Sequence, residues 1–459
     1  MPTNAENAPA PAAPAPAAGG LRRVLTLRDL ILYGIVVIQP VAPMSSFGVL
    51  ESKGHGHVVT MILFAMVAML LTAISYGRMA RVYPSAGSAF VYVGKELHPA
   101  LGFLTGWSMV MDYLLNPVIC TFWCSKGMME FLPQIPFPVW AVLFFLLFTG
   151  LNLRGVRTSA RFNAIVAGGM GVVIIVFLAF CVRYLLGHFT GASDLARPFY
   201  DPTRWNTGDV LAGTSVAVLT YIGFDGISTL SEEVENPRRN VLLATVLTCL
   251  LIGILSAVEV YAAQLVHPDP FPAAQVDTAF AHAAARAHGS LFSVIIVTLL
   301  VANGGSGTGA LLGAARLLYG MGRSGALPPR FFGALDPRRG VPRNNVIAVG
   351  VAALAGAFLL ELSGGYDLGA QLLNFGAFIA FMGVNLATFV HYFVRQRQRT
   401  FGNSVLPLTG FAICFLLWLN LSTFAKVLGI VWLVIGLAFG AWKTRGFRGE
   451  LVSFDVPAE

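Results

Sequence analysis

The chain is 459 residues long, 56% hydrophobic and only 11% charged, with Lys and Arg outnumbering Asp and Glu by 30 to 22. An ordinary soluble protein carries about 25% charge, so this chain lacks the polar surface that about three soluble domains would need. Its apolar content excludes intrinsic disorder, and its basic residues are scattered rather than gathered into a nucleic-acid-binding domain.

What remains is a polytopic membrane protein. Backbone groups inside lipid must be satisfied within their own segment, which makes the chain all-α. An outer-membrane barrel alternates apolar and polar residues over about ten positions; runs such as Val139–Phe148 and Val172–Phe180 do not.

Residues 1–24 read as an Ala/Pro-rich, disordered cytoplasmic tail without an apolar signal core. Beyond it, uncharged stretches of about 19 to 29 residues lie between Asp29 and Glu51, Lys53 and Arg78, Glu130 and Arg154, Arg161 and Arg183, Arg239 and Glu259, Arg286 and Arg316, Asp367 and Arg395, and Arg399 and Lys426. Shorter apolar runs occupy Glu96–Lys126, Val210–Leu230, Val346–Leu360 and Val427–Trp442. Together they predict twelve transmembrane helices within residues 25–445, followed by a cytoplasmic tail at 446–459.

With the amino terminus on the cytoplasmic side, 23 of the 30 basic residues fall in inner segments and seven in outer ones. The positive-inside rule expects that sign, and twelve spans return both termini to the cytoplasm. The five cysteines all sit in apolar spans and read as packing residues.

The first span contains Gln39-Pro-Val-Ala-Pro-Met-Ser-Ser. Each proline removes an amide donor and clashes with the preceding turn, which predicts unwinding around Gln39–Met44. The third span carries Asp112 and Asn116 one turn apart, with Tyr113 beside them. The sixth reads Tyr221-Ile-Gly-Phe-Asp-Gly, with Gly223 and Gly226 flanking Asp225. Breaks five spans apart point to an inverted-repeat transporter; the alternative is a pair of simple kinks. Freed carbonyls and amides at such breaks can hold a substrate. Asp225 could supply charge for a cation, cap the second half of its helix, or both.

Glu259, in the seventh span, falls near the outer face and suits an entrance or a structural ion pair. The eighth span carries Asn303-Gly-Gly-Ser-Gly-Thr, with Asn303, Ser306 and Thr308 able to bind an ion or simply to pack closely. Glu232 and Glu233 follow the sixth span and could lock an inner gate against Arg81 or Arg161. His55 and His57 point the same way on an extended loop, a weak metal pair.

In four places the chain resembles the amino acid–polyamine–organocation superfamily of permeases: Arg78–Tyr92 (Arg-Met-Ala-Arg-Val-Tyr-Pro-Ser-Ala-Gly-Ser-Ala-Phe-Val-Tyr), Gly102–Trp107 (Gly-Phe-Leu-Thr-Gly-Trp), Tyr221–Asn240, and Ala315–Pro328. The resemblance implies a LeuT-type fold: repeat 1 at about 25–187, an inverted repeat 2 at about 208–399, and two added helices at about 404–443. It also implies substrate binding between the broken helices, at Gln39, Val41, Ala42, Met44, Ser45, Ser46, Asp112, Asn116, Tyr221, Gly223, Phe224 and Asp225.

Within the superfamily the chain is most similar to putrescine-importer-like permeases. Two departures stand out. Pro40 and Pro43 remove amides that would hold a substrate carboxylate, and the segment with Ser45 and Ser46 lacks the acid of polyamine-type relatives. A lysine on the fifth span of some proton-coupled relatives aligns with Met170 here.

The expectation is a secondary active transporter in the cytoplasmic membrane, moving amino acids, amines or polyamines by alternating access, with protons as coupling ion. An ion-independent exchanger and a non-transporting sensor on the same fold are the alternatives. An enzyme would need a nucleophile, paired acids or a metal cluster at mid-membrane. No cofactor, metal, nucleic acid or obligate protein partner is called for; the partners are the small molecule, the proton and the bilayer.

Overall fold

The computed structural model describes residues 24–84, 87–154, 160–188, 191–231, 233–323, 327–336 and 339–447. The expected terminal tails therefore lie largely outside the described residues. Among those residues the chain is helical, with one isolated parallel bridge between Leu25 and Val234.

The helices are α1 (Leu27–Ile38), α2 (Ala42–Gly54), α3 (Val58–Val82), α4 (Ser88–Glu96), α5 (Pro99–Phe131), α6 (Phe137–Leu153), α7 (Ala160–His188), α8 (Ala192–Ala196) and α9 (Thr207–Ala217). After a 3-10 turn at Val218–Tyr221 come α10 (Gly226–Thr229), α11 (Pro237–Val266), α12 (Ala279–Ala287), α13 (Ser290–Arg323), α14 (Pro329–Phe332), α15 (Arg343–Ser363), α16 (Gly365–Phe389), α17 (Phe401–Leu419) and α18 (Thr423–Lys443).

Among the described residues, nine helical segments are long and apolar enough to cross a membrane, or ten when the bent pair α1 and α2 counts as one span. Two segments expected as spans fall outside that count. α5 is long but less apolar, with Asp112, Asn116 and Pro117 at its middle, and α6 has 17 residues.

α11 packs along α3, while α13, α15 and α16 pack on α5. The faces turned away from these contacts are apolar: Leu146, Ile175, Leu186 and Trp442 are 60–83% exposed. Water would penalise such a surface and lipid does not, so the bilayer is its natural solvent. In lipid, helices associate through close packing rather than hydrophobic expulsion. α18 follows this rule: Gly429 lies against Phe375, Gly436 against Trp107, and Gly440 against Phe103.

Four short helices outside the expected spans, α4, α8, α12 and α14, were not expected. α4 begins within Arg78–Tyr92 and, at 9 residues, is too short to span a bilayer. α12 (Ala279–Ala287) is Ala-rich, which favours helix, and packs on α11 and α13.

The histidine pair is also not as expected. His57 is buried, with Nδ1 2.7 Å from the Gly54 carbonyl and Nε2 accepting from the Asp201 amide at 2.9 Å. Both ring nitrogens are thus engaged by backbone. His55 instead faces Asp209, at 3.3 Å. The tight turn after Gly54 sends the two rings to different partners.

Candidate functional site

The first broken span is shorter in its break than the prolines suggested. α1 ends at Ile38, Gln39 adopts φ 64°, and α2 resumes at Ala42 with Pro43 in its first turn, bent 46° from α1. Proline is tolerated there because the first-turn amides have no intrahelical partner. The unwound part is Gln39–Val41, so Ala42, Met44, Ser45 and Ser46 are helical.

The second broken span passes from α9 through the 3-10 turn to Ile222–Asp225 and then α10. Gly223 has φ 119°, and a Cβ added there would lie 3.0 Å from Val37 and 3.3 Å from Ile38 of α1. The two breaks therefore touch, and only a glycine serves both the backbone conformation and the approach. Tyr221 anchors the turn by donating to the Ile62 carbonyl at 2.8 Å. Phe224 is buried, stacked on Phe381 and edge-on to Tyr76.

Asp225 stands at the N-cap of α10 but makes no side-chain cap bond to it. Its carboxylate accepts instead from the Gly223 amide, 3.2 Å away within the break. That leaves acceptor capacity free.

Asp225, Asp112 and Asn116 each keep part of their surface accessible although they lie well inside their spans. Asp112 lies within the electrostatic reach of Asp225. Tyr33 of α1 and Tyr113 of α5 lie within the same field. Tyr113 was noted beside Asp112; Tyr33 was missed, and its only signal was an aromatic hydroxyl six residues before the proline break.

The polar stretch of α13 forms the wall behind the break of α1. Gln39 Nε2 donates to the Ala302 carbonyl at 2.9 Å, and Asn303 Nδ2 donates to Ser45 Oγ at 3.3 Å and to the Leu299 carbonyl at 2.9 Å. Ser306 donates to Asn116 Oδ1 at 3.3 Å.

Other expected residues are less available. Ser46 bonds to the Pro43 carbonyl within its own helix, and Thr308 to that of Gly304. Val41 and Met44 are buried, as is Met170 on α7; Ala42 is partly accessible. Arg81 is exposed, and among the described residues no ion pair joins it to Glu233. The Glu233 carbonyl instead accepts from the amides of Val24 and Leu25. Glu232 and the side chain of Arg161 lie outside the described residues, so their gate role rests on sequence.

Chemically, the accessible acids and neighbouring aromatic rings suit an organic cation: carboxylates attract its charge, and rings add cation–π contact. A substrate carboxylate finds less, since Pro40 and Pro43 offer no amide.

The amino acid permease family profile matches residues 40–449. The chain is 34% identical to the low-affinity putrescine importer PlaP of Escherichia coli, over 95% of this chain and 96% of that one. It is 26% identical to the branched-chain amino acid permease BcaP of Lactococcus lactis, over 91% and 93%, and 25% identical to the methylthioribose transporter of Bacillus subtilis, over 91% and 92%. These relatives are transporters rather than enzymes. The chain is a multi-pass membrane protein and belongs to the amino acid permease family.

Proposed function

We propose that the protein is a secondary active transporter of the inner membrane, moving a small organic amine of putrescine type by alternating access. One observation supports this reading most: Asp225 lies partly accessible where two broken helices touch, with the partly accessible Asp112 of α5 within its electrostatic reach. A second acid supplies the countercharge that a dication needs and that the Ser45–Ser46 segment does not. The likeness to a putrescine importer over nearly the whole chain supports the same class.

Adding α5 and α6 to the ten spans gives the twelve expected from the charge pattern, with both termini cytoplasmic. The 5+5 repeat would then comprise α1 to α7 and α9 to α16. In this arrangement the substrate touches Asp112, Asn116, Asp225 and the backbone at Gln39–Val41 and Ile222–Gly223. Asn303 and Ser306 form the helix-8 wall.

The end bearing Lys53 and Lys126 is then the outer side. It is held by Lys53 on Asp367 at 2.9 Å, Lys126 on Glu361 at 2.7 Å, and Thr278 donating to Glu130 at 2.6 Å. These contacts support an outside-closed state.

The test is a competition panel in proteoliposomes holding the purified protein. Labelled putrescine uptake should be blocked by diamines and little affected by zwitterionic amino acids. Stronger block by amino acids would overturn the amine assignment.

A further inference from the structure

Glu259 on α11 is fully buried, and neither of its carboxylate oxygens has a hydrogen-bond partner. The expected entrance position or ion pair is not what the structure holds. α11 is packed by α1, α2, α3, α7, α10, α12 and the 3-10 turn, and the described charged groups of those elements are paired elsewhere, exposed, or at the far end of their helices. On α2, Lys53 pairs with Asp367, and Glu51 lines one cavity with His55 and Arg204. On α12, His282 faces Glu130 at 3.5 Å and Arg286 pairs with Asp269 at 3.1 Å. His57, before α3, is held by backbone. On α7, Arg183 and His188 are exposed, and Tyr184 stacks on His188. Arg28 and Asp29 of α1, and Arg78 and Arg81 of α3, lie at the opposite end of those helices. Tyr76 faces Tyr92, Phe224 and Phe381, α10 carries no charge, and Tyr221 is bonded to Ile62.

An ionised carboxylate buried without a protein partner costs several kcal/mol. The enclosure therefore suits a neutral, proton-carrying acid. It also connects inward. Six residues before Glu259, about 9 Å along the helix, Gly253 lies against the ring of Tyr221 at the second break. The hydroxyl of Ser256, one turn from Glu259, is buried and unpartnered, as is that of Thr248. Thr248 packs against Gly34 of α1. Helical Ser and Thr usually donate to the carbonyl four residues back, as Thr245 does to Val241 at 2.7 Å; these two do not. Unsatisfied oxygens thus mark one helix from Glu259 to the first broken span.

We propose that Glu259 is the proton-binding site through which transport is coupled to a proton gradient, an inference that rests on the transport reading above. A proton from the outer side forms the O–H bond that neutralises the carboxylate and lets that side close over it. It leaves as H+ toward the breaks along the stretch of α11 that carries Ser256 and Thr248.

The experiment uses the full chain in proteoliposomes, labelled putrescine and an imposed inward-directed proton gradient. Wild type should accumulate putrescine under the gradient. Glu259→Gln, which mimics the neutral acid, should keep gradient-free counterflow within about twofold while losing gradient-driven accumulation. Glu259→Asp, which keeps a titratable group, should retain part of that accumulation. Infrared spectroscopy of the purified protein should show a protonated-carboxyl C=O stretch that Glu259→Gln removes.

Accumulation by Glu259→Gln equal to wild type, wild-type accumulation indifferent to the proton gradient, or no change in that stretch would each overturn the proposal. A wild type that moves no amine or amino acid even in counterflow sinks the transport reading, and the coupling role with it. A wild type that exchanges without responding to protons sinks the coupling alone.

Discussion

Trp107 on α5 and Trp432 on α18 each donate an indole N–H to the other's backbone carbonyl, at 2.9 and 3.0 Å, with their rings stacked 4.9 Å apart. Gly436 admits the Trp107 ring against α18. This clasp joins the last helix to the one carrying Asp112. Interhelical hydrogen bonds in membranes contribute about 0.6 to 1.7 kcal/mol each. Trp432→Phe should therefore destabilise the protein by about 1–2 kcal/mol. A thermal shift in detergent should show a fall in Tm, while KM for uptake stays unchanged because the clasp does not reach the substrate.

The paired acids give a sharper expectation. A hydrogen bond to a charged group contributes about 1.5–3 kcal/mol, so Asp225→Asn should raise KM for a diamine about 10- to 100-fold with little loss of folded protein. Asp112→Asn should act in the same direction. Because Asp112 lies within the electrostatic reach of Asp225, the double variant should cost less than the sum of the single changes. Additive effects would place the two acids in separate sites.

Gly223 meets two demands at once. At φ 119° a residue with a Cβ is strained, and that Cβ would press on Val37 and Ile38. Gly223→Ala should cost about 1–3 kcal/mol and slow uptake as well, since it forces the breaks apart. A variant with wild-type Tm and wild-type rates would show that their approach is not required.

Tyr83, just beyond α3, donates to Glu96 Oε1 at 2.6 Å. Desolvation first, then the bond to Glu96 and its charge, push the phenol up from 10.0 to about 12. The raised value means that its stabilising contribution is complete below about pH 10 and lost as pH climbs through about 12. An ultraviolet titration should show one tyrosinate forming near the upper value in wild type and absent in Tyr83→Phe. Between pH 6 and 9 the difference in Tm between the two proteins should be flat.

Much of this arrangement was legible from charge scarcity. Placing Asp112 and Asp225 deep in apolar spans singled them out, and the two prolines and two glycines marked both breaks. Side-chain direction was not legible. Gln39 turns away to the Ala302 carbonyl because positive φ reorients it, and no spacing rule encodes a partner 263 residues distant. The length of the first break was overestimated, since Pro43 reads as a breaker but serves as a first-turn residue. Glu259 was placed in depth from helix rise alone; its lack of any partner emerges only when seven neighbouring elements are packed around it.

The parallel bridge between Leu25 and Val234, with Glu235 donating to the Leu25 carbonyl at 2.9 Å, carries a consequence for biogenesis. Its two halves are separated by more than two hundred residues of chain. At roughly 5–20 residues per second of synthesis, the amino-terminal segment waits on the order of 10–40 s for its partner strand to be made. During that interval the first half-helix can enter the bilayer but cannot be fastened to the second. The nascent protein thus acquires its latch only after α1 to α9 have been made.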